Sequence, residues 1–201
     1  ANIQIQGGTF NAVKKIVDIQ NNLGDASRNP SATISGGNFS SDPLTWDGLI
    51  KVAAGYKVVE DNGIWTVVVD PAAKIGETEY ASLQEAFNVG GEITLLRDIT
   101  IAETVVLAEG KTVVLDLNGK TLAAVDKNTI KNNGGNLTLK NGTVTRTGDV
   151  VGYSVNNASG EINVVDATVE RGLYTSGSKM TATNANISHE QSSRHAIYAW
   201  D

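Results

Sequence analysis

Two arginines and one histidine stand at equivalent places in three consecutive copies of a short sequence motif. Arg146, Arg171 and His189 each come two positions after the last apolar residue of their copy. If the copies stack as neighbouring strands, these side chains lie about 4.8 Å apart along one face. Such a row of cations can bind a carboxylated or sulfated sugar. The same residues can instead pair with acids such as Glu170 or be hydrated, and both interpretations stay open.

The acidic residues show no comparable order. A glycosidase needs carboxylates grouped on one face. Asp116 lies between two inward-facing apolar residues, whereas Asp166 lies at a turn, so the two do not form such a group. No acid cluster suits calcium, and His189 and His195 are too few and too far from acids for a metal site. The sequence therefore predicts a non-catalytic protein without metal or cofactor, and a polysaccharide lyase or hydrolase is the less favoured alternative.

The elements that must position these residues form an internal repeat. Leu115, Leu117 and Leu122 have the same spacing as Leu137, Leu139 and Val144, which follow 22 residues later. Asn118-Gly119 and Asn141-Gly142 interrupt the two copies, where a left-handed backbone suits Asn and Gly. The same spacing recurs in four further copies: Ile3, Ile5 and Phe10; Ala32, Ile34 and Phe39; Ile162, Val164 and Val169; Met180, Ala182 and Ile187. A second short strand follows most copies, starting at Val17, Ile130, Leu173 and Ile197. Repeats of this length predict an all-β fold, a parallel β-helix (solenoid).

Composition narrows the possible partners. The chain has 201 residues, of which 40% are hydrophobic and 5% aromatic, so narrow coils lined by Val, Ile, Leu and Ala are expected. A net charge of −6 argues against nucleic acid as a partner. The chain has no cysteine and therefore no disulfide. No apolar run is long enough to insert into a membrane.

The repeat stops at Ser41 and resumes later, which predicts four segments. Residues 1–40 are the final coils of one β-helix, and 41–70 are a helix-plus-hairpin cap. In that cap, Asp42 and Pro43 start a helix whose one face carries Trp46, Leu49 and Ile50. The hairpin turn is Asp61-Asn62-Gly63, and Trp46 and Trp65 are expected to cover the end of the stack.

After a boundary at Asp70-Pro71, residues 71–92 form an N-terminal cap and 93–201 form a β-helix body. Ser82, Leu83, Ala86 and Phe87 predict a short amphipathic helix that ends at Gly90-Gly91. The first coil, from about Ile93, departs from the repeat spacing, so a bulge or an atypical end coil is expected there.

The two ends of the sequence are in phase with the repeat. Ile130 and Leu173 each precede the next copy by seven residues. Ile197 lies four residues before the end, and Ile3 is the third residue. This phase predicts that the last coil of one molecule stacks on the first coil of another, giving a head-to-tail homopolymer. The predicted interface comprises Ile3, Ile5, Phe10, Met180, Ala182, Ile187, Ile197 and Trp200. The other interpretation is that the ends simply fall at a repeat boundary.

Two stretches resemble a known group of proteins. ISGGNFSSDPLTWDGLIKVAAGYKVVEDNGIWTVV and KIGETEYASLQEAFNVGGEITLLRDITI, with GKTVVLDLNGKTL, resemble repeat modules of Gram-positive bacterial cell-surface, adhesin-like proteins. The resemblance implies a right-handed parallel β-helix of the pectin-lyase-like type, export and attachment to the cell wall. It also implies a role in adhesion or as a stalk. The sequence thus predicts a non-catalytic structural repeat, with a carbohydrate-binding β-helix as the alternative and surface glycans as further partners.

Overall fold

The computed structural model describes residues 2–11, 17, 31–45, 48–53, 55–148, 150, 152–176, 179–190 and 194–200. These residues are predominantly β, and most strand pairs are parallel. The chain divides into two compact units, Ala1–Pro71 and Ala72–Asp201, which are described separately.

The first unit contains two small sheets. Its strands are β1 (Asn2–Ile5), β2 (Thr9–Phe10), β3 (Ser31–Ile34), β4 (Gly37–Phe39), β5 (Ile50–Val52), β6 (Tyr56–Asp61) and β7 (Ile64–Val69). One sheet has the order β1-β3-β5 and is parallel throughout, and the other has the order β2-β4-β7-β6. The predicted equivalence of the first two motif copies is confirmed, because Ile3 pairs with Ala32, and Phe10 pairs with Phe39. The rings of Phe10 and Phe39 stack at 5.2 Å.

The predicted hairpin is present as β6 and β7. Asp61 pairs with Ile64, and Asn62 and Gly63 form the turn with φ of 51° and 79°. This left-handed pair of residues matches the right-handed twist of the strands that it joins. Trp65 pairs with Phe39 and packs against the buried core of this unit.

The helix predicted after Ser41 is wrong. Among the described residues of this segment, helical structure is limited to the 3₁₀ turn Pro43–Thr45, in which the Asp42 carboxylate accepts a hydrogen bond from the Leu44 amide at 2.9 Å. Ile50, expected on a helix face, instead lies in β5 and pairs in parallel with Ala32. Leu49 is exposed, and Trp46 lies outside the described residues. Pro43 and the apolar spacing mimic a helix start, but burial of Ile50 beside Ala32 and Ile34 favours a third parallel strand.

The second unit begins with a hairpin and a helix. Strands β8 (Ala73–Ile75) and β9 (Thr78–Tyr80) precede helix α1 (Leu83–Val89). The predicted helix is confirmed: Ser82 and Glu85 form a capping box, and the helix ends at Gly90. Its buried residues Leu83, Ala86 and Phe87 join the core of this unit.

The rest of the second unit is one large sheet assembled almost entirely from parallel pairs. Its strands are β10 (Gly91–Leu95), β11 (Ile99–Ile101), β12 (Val105–Leu107), β13 (Thr112–Asp116), β14 (Thr121–Val125), β15 (Ile130–Thr147), β16 (Val155–Val169), β17 (Leu173–Ser176), β18 (Met180–Thr183), β19 (Asn186–Ile187) and β20 (Ile197–Trp200). In the parallel pairs, the two partner residues lie 18–26 residues apart in the sequence. At its other edge β10 pairs antiparallel with β8, which ends the parallel series.

Parallel pairing aligns apolar side chains into buried columns. The columns are Val113, Leu137, Ile162 and Met180; Ile93, Leu115, Leu139, Val164 and Ala182; Ile99, Leu122, Val144, Val169 and Ile187; and Val105, Ile130, Val155, Leu173 and Ile197. Most interior members are fully buried, whereas the members on β18–β20 are at least partly exposed. Burial of these aliphatic columns is the main stabilising contribution to this unit, because it removes apolar surface from water.

The register differs from the sequence expectation at one corner. The repeat spacing made Leu115 equivalent to Leu137. In the structure, Leu115 pairs with Leu139, and Leu137 pairs with Val113. The connection Leu117–Lys120 is two residues longer than Asn141–Gly142, and the pairing is back in step at Leu122 and Val144. Leu117 is fully buried at this corner, which is why its spacing resembled that of a strand residue.

A polar ladder runs inside the apolar core. Asn132, Asn157 and Thr175 occupy paired positions and are almost completely buried. The Asn132 side-chain amide donates to Asn157 Oδ1 at 2.8 Å, and the Asn157 amide donates to Thr175 Oγ1 at 3.0 Å. The Asn132 side-chain amide also donates to the Gly135 carbonyl, and Asn132 Oδ1 accepts a hydrogen bond from the Gly135 backbone amide. Because an unpaired buried amide is costly, the ladder favours this register over shifted ones.

Candidate functional site

Arg146, predicted as a ligand-binding residue, is buried. Only 3% of it is exposed, and its Nη2 donates to the Val150 carbonyl at 2.8 Å. The guanidinium lies over Gly152, where a Cβ atom would come within 2.0 Å of Nη1. Burial, followed by repulsion from Arg171, lowers the pKa of Arg146, and Asp126 opposes this shift. Arg146 is therefore a positioned interior charge with little surface left for a ligand.

Arg171 and His189 lie on the next two layers of the stack of parallel strands. Val144, Val169 and Ile187 are paired neighbours in one apolar column, and Arg146, Arg171 and His189 each follow one of them by two positions. Arg171 is half-buried at a corner with φ of 60°. His189 is half-buried, with Nε2 3.4 Å from the Gly152 carbonyl. The structure thus brings the predicted residues onto neighbouring layers, but they do not form a row of exposed cations.

Sequence reasoning missed an aromatic cluster beside these residues. The tyrosine–histidine cluster comprises Tyr153, Tyr174, His189, His195, Tyr198 and Trp200. Tyr174 and Tyr198 occupy paired positions on β17 and β20 and stack at 5.8 Å between ring centroids. Trp200 stacks on Tyr198 at 6.3 Å, and His195 lies 5.6 Å from Tyr198. The rings of Tyr153 and His189 form a T-shaped pair with their centroids 5.7 Å apart.

The cluster concentrates residue types that are scarce elsewhere in the chain. The sequence has three Trp, five Tyr and two His, and the cluster takes one Trp, three Tyr and both His. Tyr174 and Tyr198 follow Lys131 and Asn156 along one row of partly exposed positions, so the row changes from polar to aromatic over its last two layers. Trp200 is 60% exposed, although large aromatic side chains usually serve packing. The signal was present in the sequence, since Tyr174 and Tyr198 each follow the first residue of a recognised strand.

The carboxylate of Asp116 serves a corner of the fold. Burial raises its pKa, but hydrogen bonds from the Asn118 amide and the Asn141 side chain, together with Lys140, outweigh that effect and lower it below the usual value. The Lys140 ammonium lies 3.4 Å from Oδ2. Asp166, at the corner position equivalent to Asn141, accepts a hydrogen bond from the Asn184 side chain at 3.1 Å. The side chains of Asp116 and Asp166 thus each link the turns of two neighbouring layers of strands. The described part of the chain contains no group of three or more metal-ligating side chains.

A polar groove of 230 Å³ follows the strands β15, β16 and β18. Thr138, Asn163 and Thr181 are neighbours across these strands, and Thr181 donates to Asn163 at 2.7 Å. Glu161 and Lys179 line the groove and lie 3.9 Å apart. The groove contains hydroxyl, amide and ionic groups, but no arrangement that resembles a catalytic pair.

Both parallel stacks end in strands with uncovered apolar residues. Ile3 on β1 is 39% exposed, whereas its partner Ala32 is fully buried. Ile197 on β20 is 44% exposed, whereas its partner Leu173 is fully buried. Each of β1, β18 and β20 pairs with a parallel neighbour on one side only within the described residues. Such an edge presents unpaired backbone groups beside apolar side chains, which is a template for another strand.

Neither a family model, nor a curated protein, nor a solved structure matches the chain. Among the described residues, no helix has the length and apolar character needed to cross a membrane.

Proposed function

We propose that the chain is a non-catalytic structural repeat that folds as a right-handed parallel β-helix with small capping elements and stacks head to tail with other copies. The columns of paired aliphatic residues support the β-helix, since each parallel pairing advances by about one repeat. The right hand follows from the strong general preference of parallel β connections.

The observation that carries the stacking proposal is the match between the two uncovered edges. Ile3, Ile5 and Phe10 on one edge have the same spacing as Met180, Ala182 and Ile187 on the other. The first set already pairs in parallel with Ala32, Ile34 and Phe39, and the second with Ile162, Val164 and Val169. Each edge is therefore shaped to accept a parallel neighbour with this spacing. Joining the edges extends the aliphatic columns and satisfies the open backbone groups of both.

The contact is heterologous, because it joins two different surfaces of the same chain. Repeated contacts of this kind do not close unless the rotation between copies closes a ring, and they otherwise give open filaments. A stalk or filament on a Gram-positive bacterial cell surface, with adhesion as a further role, is the setting that we propose. It is supported by the resemblance of the repeat modules to surface proteins.

Sedimentation velocity over a range of protein concentrations, with electron microscopy of the same samples, tests this function. We expect the average mass to rise with concentration and filaments to form. Ile3→Lys and Ala182→Lys each place a charge on one edge and should hold the protein as a monomer. Ile64→Lys is the control: Ile64 is 46% exposed, against 39% for Ile3, but it lies on the hairpin, so this variant should assemble normally. A wild-type protein that stays monomeric at high concentration contradicts the proposal.

A further inference from the structure

We propose that the tyrosine–histidine cluster and Arg171 form a binding site for a carboxylated sugar of an acidic glycan. All of its residues belong to one molecule, but Trp200 also stands in the predicted stacking interface, so the site is proposed for a molecule whose last coil is not stacked. It differs from the row of cations considered from the sequence, because Arg146 is buried and the aromatic rings were not part of that row.

The aromatic residues supply a surface for the apolar face of a sugar ring. Trp200 stacks on Tyr198, and the residue remains 60% exposed. Tyr198 is in turn supported by Tyr174 and Tyr153, whose ring centroids lie 5.8 and 6.3 Å away. Tyr153 is 9% exposed and anchors the group to the fold. Rings that are held by neighbours in this way lose little conformational freedom when a ligand stacks on them.

The polar residues around the rings supply hydrogen-bonding groups at fixed places. His189 is held between the Tyr153 ring and the Gly152 carbonyl. His195 lies against Tyr198. Gly172 makes room for both histidine segments, because a Cβ atom there would lie 3.0 Å from His189 Cδ2 and 3.0 Å from the His195 carbonyl. An aromatic surface with a few oriented polar groups is the usual composition of a small-molecule site.

The charge at this place favours an acidic sugar over a neutral one. Arg171 is placed beside the cluster by the backbone: its carbonyl accepts a hydrogen bond from the amide of Ser154, next to Tyr153, and the amide of the following Gly172 donates to the carbonyl of Ser188, next to His189. At this place Arg171 repels the buried guanidinium of Arg146. A carboxylate bound by Arg171 offsets this repulsion and forms charge-assisted hydrogen bonds. An overall charge of −6 disfavours long polyanions such as nucleic acid, so a single carboxylated sugar unit within a glycan is the ligand that fits.

Titration calorimetry with matched pairs of oligosaccharides tests the site. The carboxylated probes are a hyaluronan tetrasaccharide and 3′-sialyllactose, and the neutral probes are chitotetraose and lactose. The protein is kept at a concentration at which sedimentation shows monomers, so that failure of binding is distinct from failure of stacking. We expect at least one acidic probe to bind about tenfold more tightly than its neutral counterpart, and added salt to weaken that binding.

Three variants locate the binding. Arg171→Gln should weaken binding of the acidic probe by about tenfold or more, since it removes a charge-assisted contact. Trp200→Ala should weaken it by about tenfold, and Trp200→Phe, which keeps an aromatic ring, should weaken it by less than about threefold. Ile64→Ala on the hairpin is the control and should bind like the wild type. Circular dichroism checks that each variant is folded.

Three results overturn the proposal. The first is that no probe binds. The second is that acidic and neutral probes bind equally well. The third is that Arg171→Gln, Trp200→Ala and Trp200→Phe all fold and all bind the acidic probe like the wild type. If only the melting temperature changes on replacing Trp200, the cluster serves stability alone.

Discussion

Replacing Asn157 by alanine tests how much the buried polar ladder contributes to stability. The substitution removes the hydrogen bond from Asn132 at 2.8 Å and the hydrogen bond to Thr175 at 3.0 Å. Each such bond contributes about 1 kcal/mol net. Asn132 keeps its bonds to Gly135 and Glu161, but the Thr175 hydroxyl loses the Asn157 amide as its donor, and Thr175 is only 6% exposed. The expected loss is therefore about 2–3 kcal/mol in the free energy of unfolding.

The neighbouring residue provides a matched control. Asn156 lies on the same strand, and its Oδ1 is buried without a hydrogen-bond partner among the described residues. Asn156→Ala removes an unsatisfied acceptor, so we expect a change within about 0.5 kcal/mol or a small gain in stability. Urea denaturation of both variants, followed by circular dichroism, gives the two values. Equal losses for Asn157→Ala and Asn156→Ala contradict the inferred role of the ladder.

Three further predictions concern the core, the corners and pH. Leu139→Ala in the centre of a fully buried column should cost about 2–5 kcal/mol in urea denaturation, and Val125→Ala at a position that is 48% exposed should cost far less; similar losses contradict the assigned core. Gly160→Ala should destabilise the fold far more than Gly119→Ala, although both glycines have positive φ. A Cβ atom at position 160 would lie 2.2 Å from the Gly135 carbonyl oxygen, whereas a Cβ atom at position 119 would meet no atom within 4 Å. Thermal melting compares the two variants, and equal melting temperatures contradict the close approach. The lowered pKa of Asp116 means that its contribution to stability is present above the unfolded value of about 3.9 and is lost as the pH falls through the folded value. Asp116→Asn should therefore make stability less dependent on pH below about 5, and an unchanged pH profile contradicts this assignment.

Local chemistry predicted several elements well. The helix over Leu83–Val89 follows from the Ser82 and Glu85 capping pair and the glycine at its end, and the hairpin follows from Asn62-Gly63. These elements are specified by a few adjacent residues, so neighbouring layers do not change them. The pairing of Leu137 with Ile162 was also predictable, because alternating apolar residues bury one face of each strand.

Features that depend on contact between layers were harder to predict. The corner at Leu117 is two residues longer than the next one, and only the pairing of both layers reveals that Leu115 faces Leu139. Ile50 joins a parallel sheet because a buried position beside Ala32 is available to it. The candidate site shows the same limit. The glycine at position 152 makes room for Arg146 in the interior, and the register of β17 and β20 assembles the aromatic rings.

The most direct test of the proposed stacking is a disulfide formed between two molecules. The sequence has no cysteine, so the Ile3→Cys and Met180→Cys variants each carry one thiol. Parallel stacking in the proposed register places these two positions about 4.8 Å apart, within the range for a disulfide. Mixing the two proteins under mild oxidation should give the mixed dimer as the main cross-linked product. Ile3→Cys mixed with Ala182→Cys is two residues out of register, at about 8 Å, and should cross-link poorly. Equal yields from both mixtures, or none from either, contradict the stacking of coils between copies.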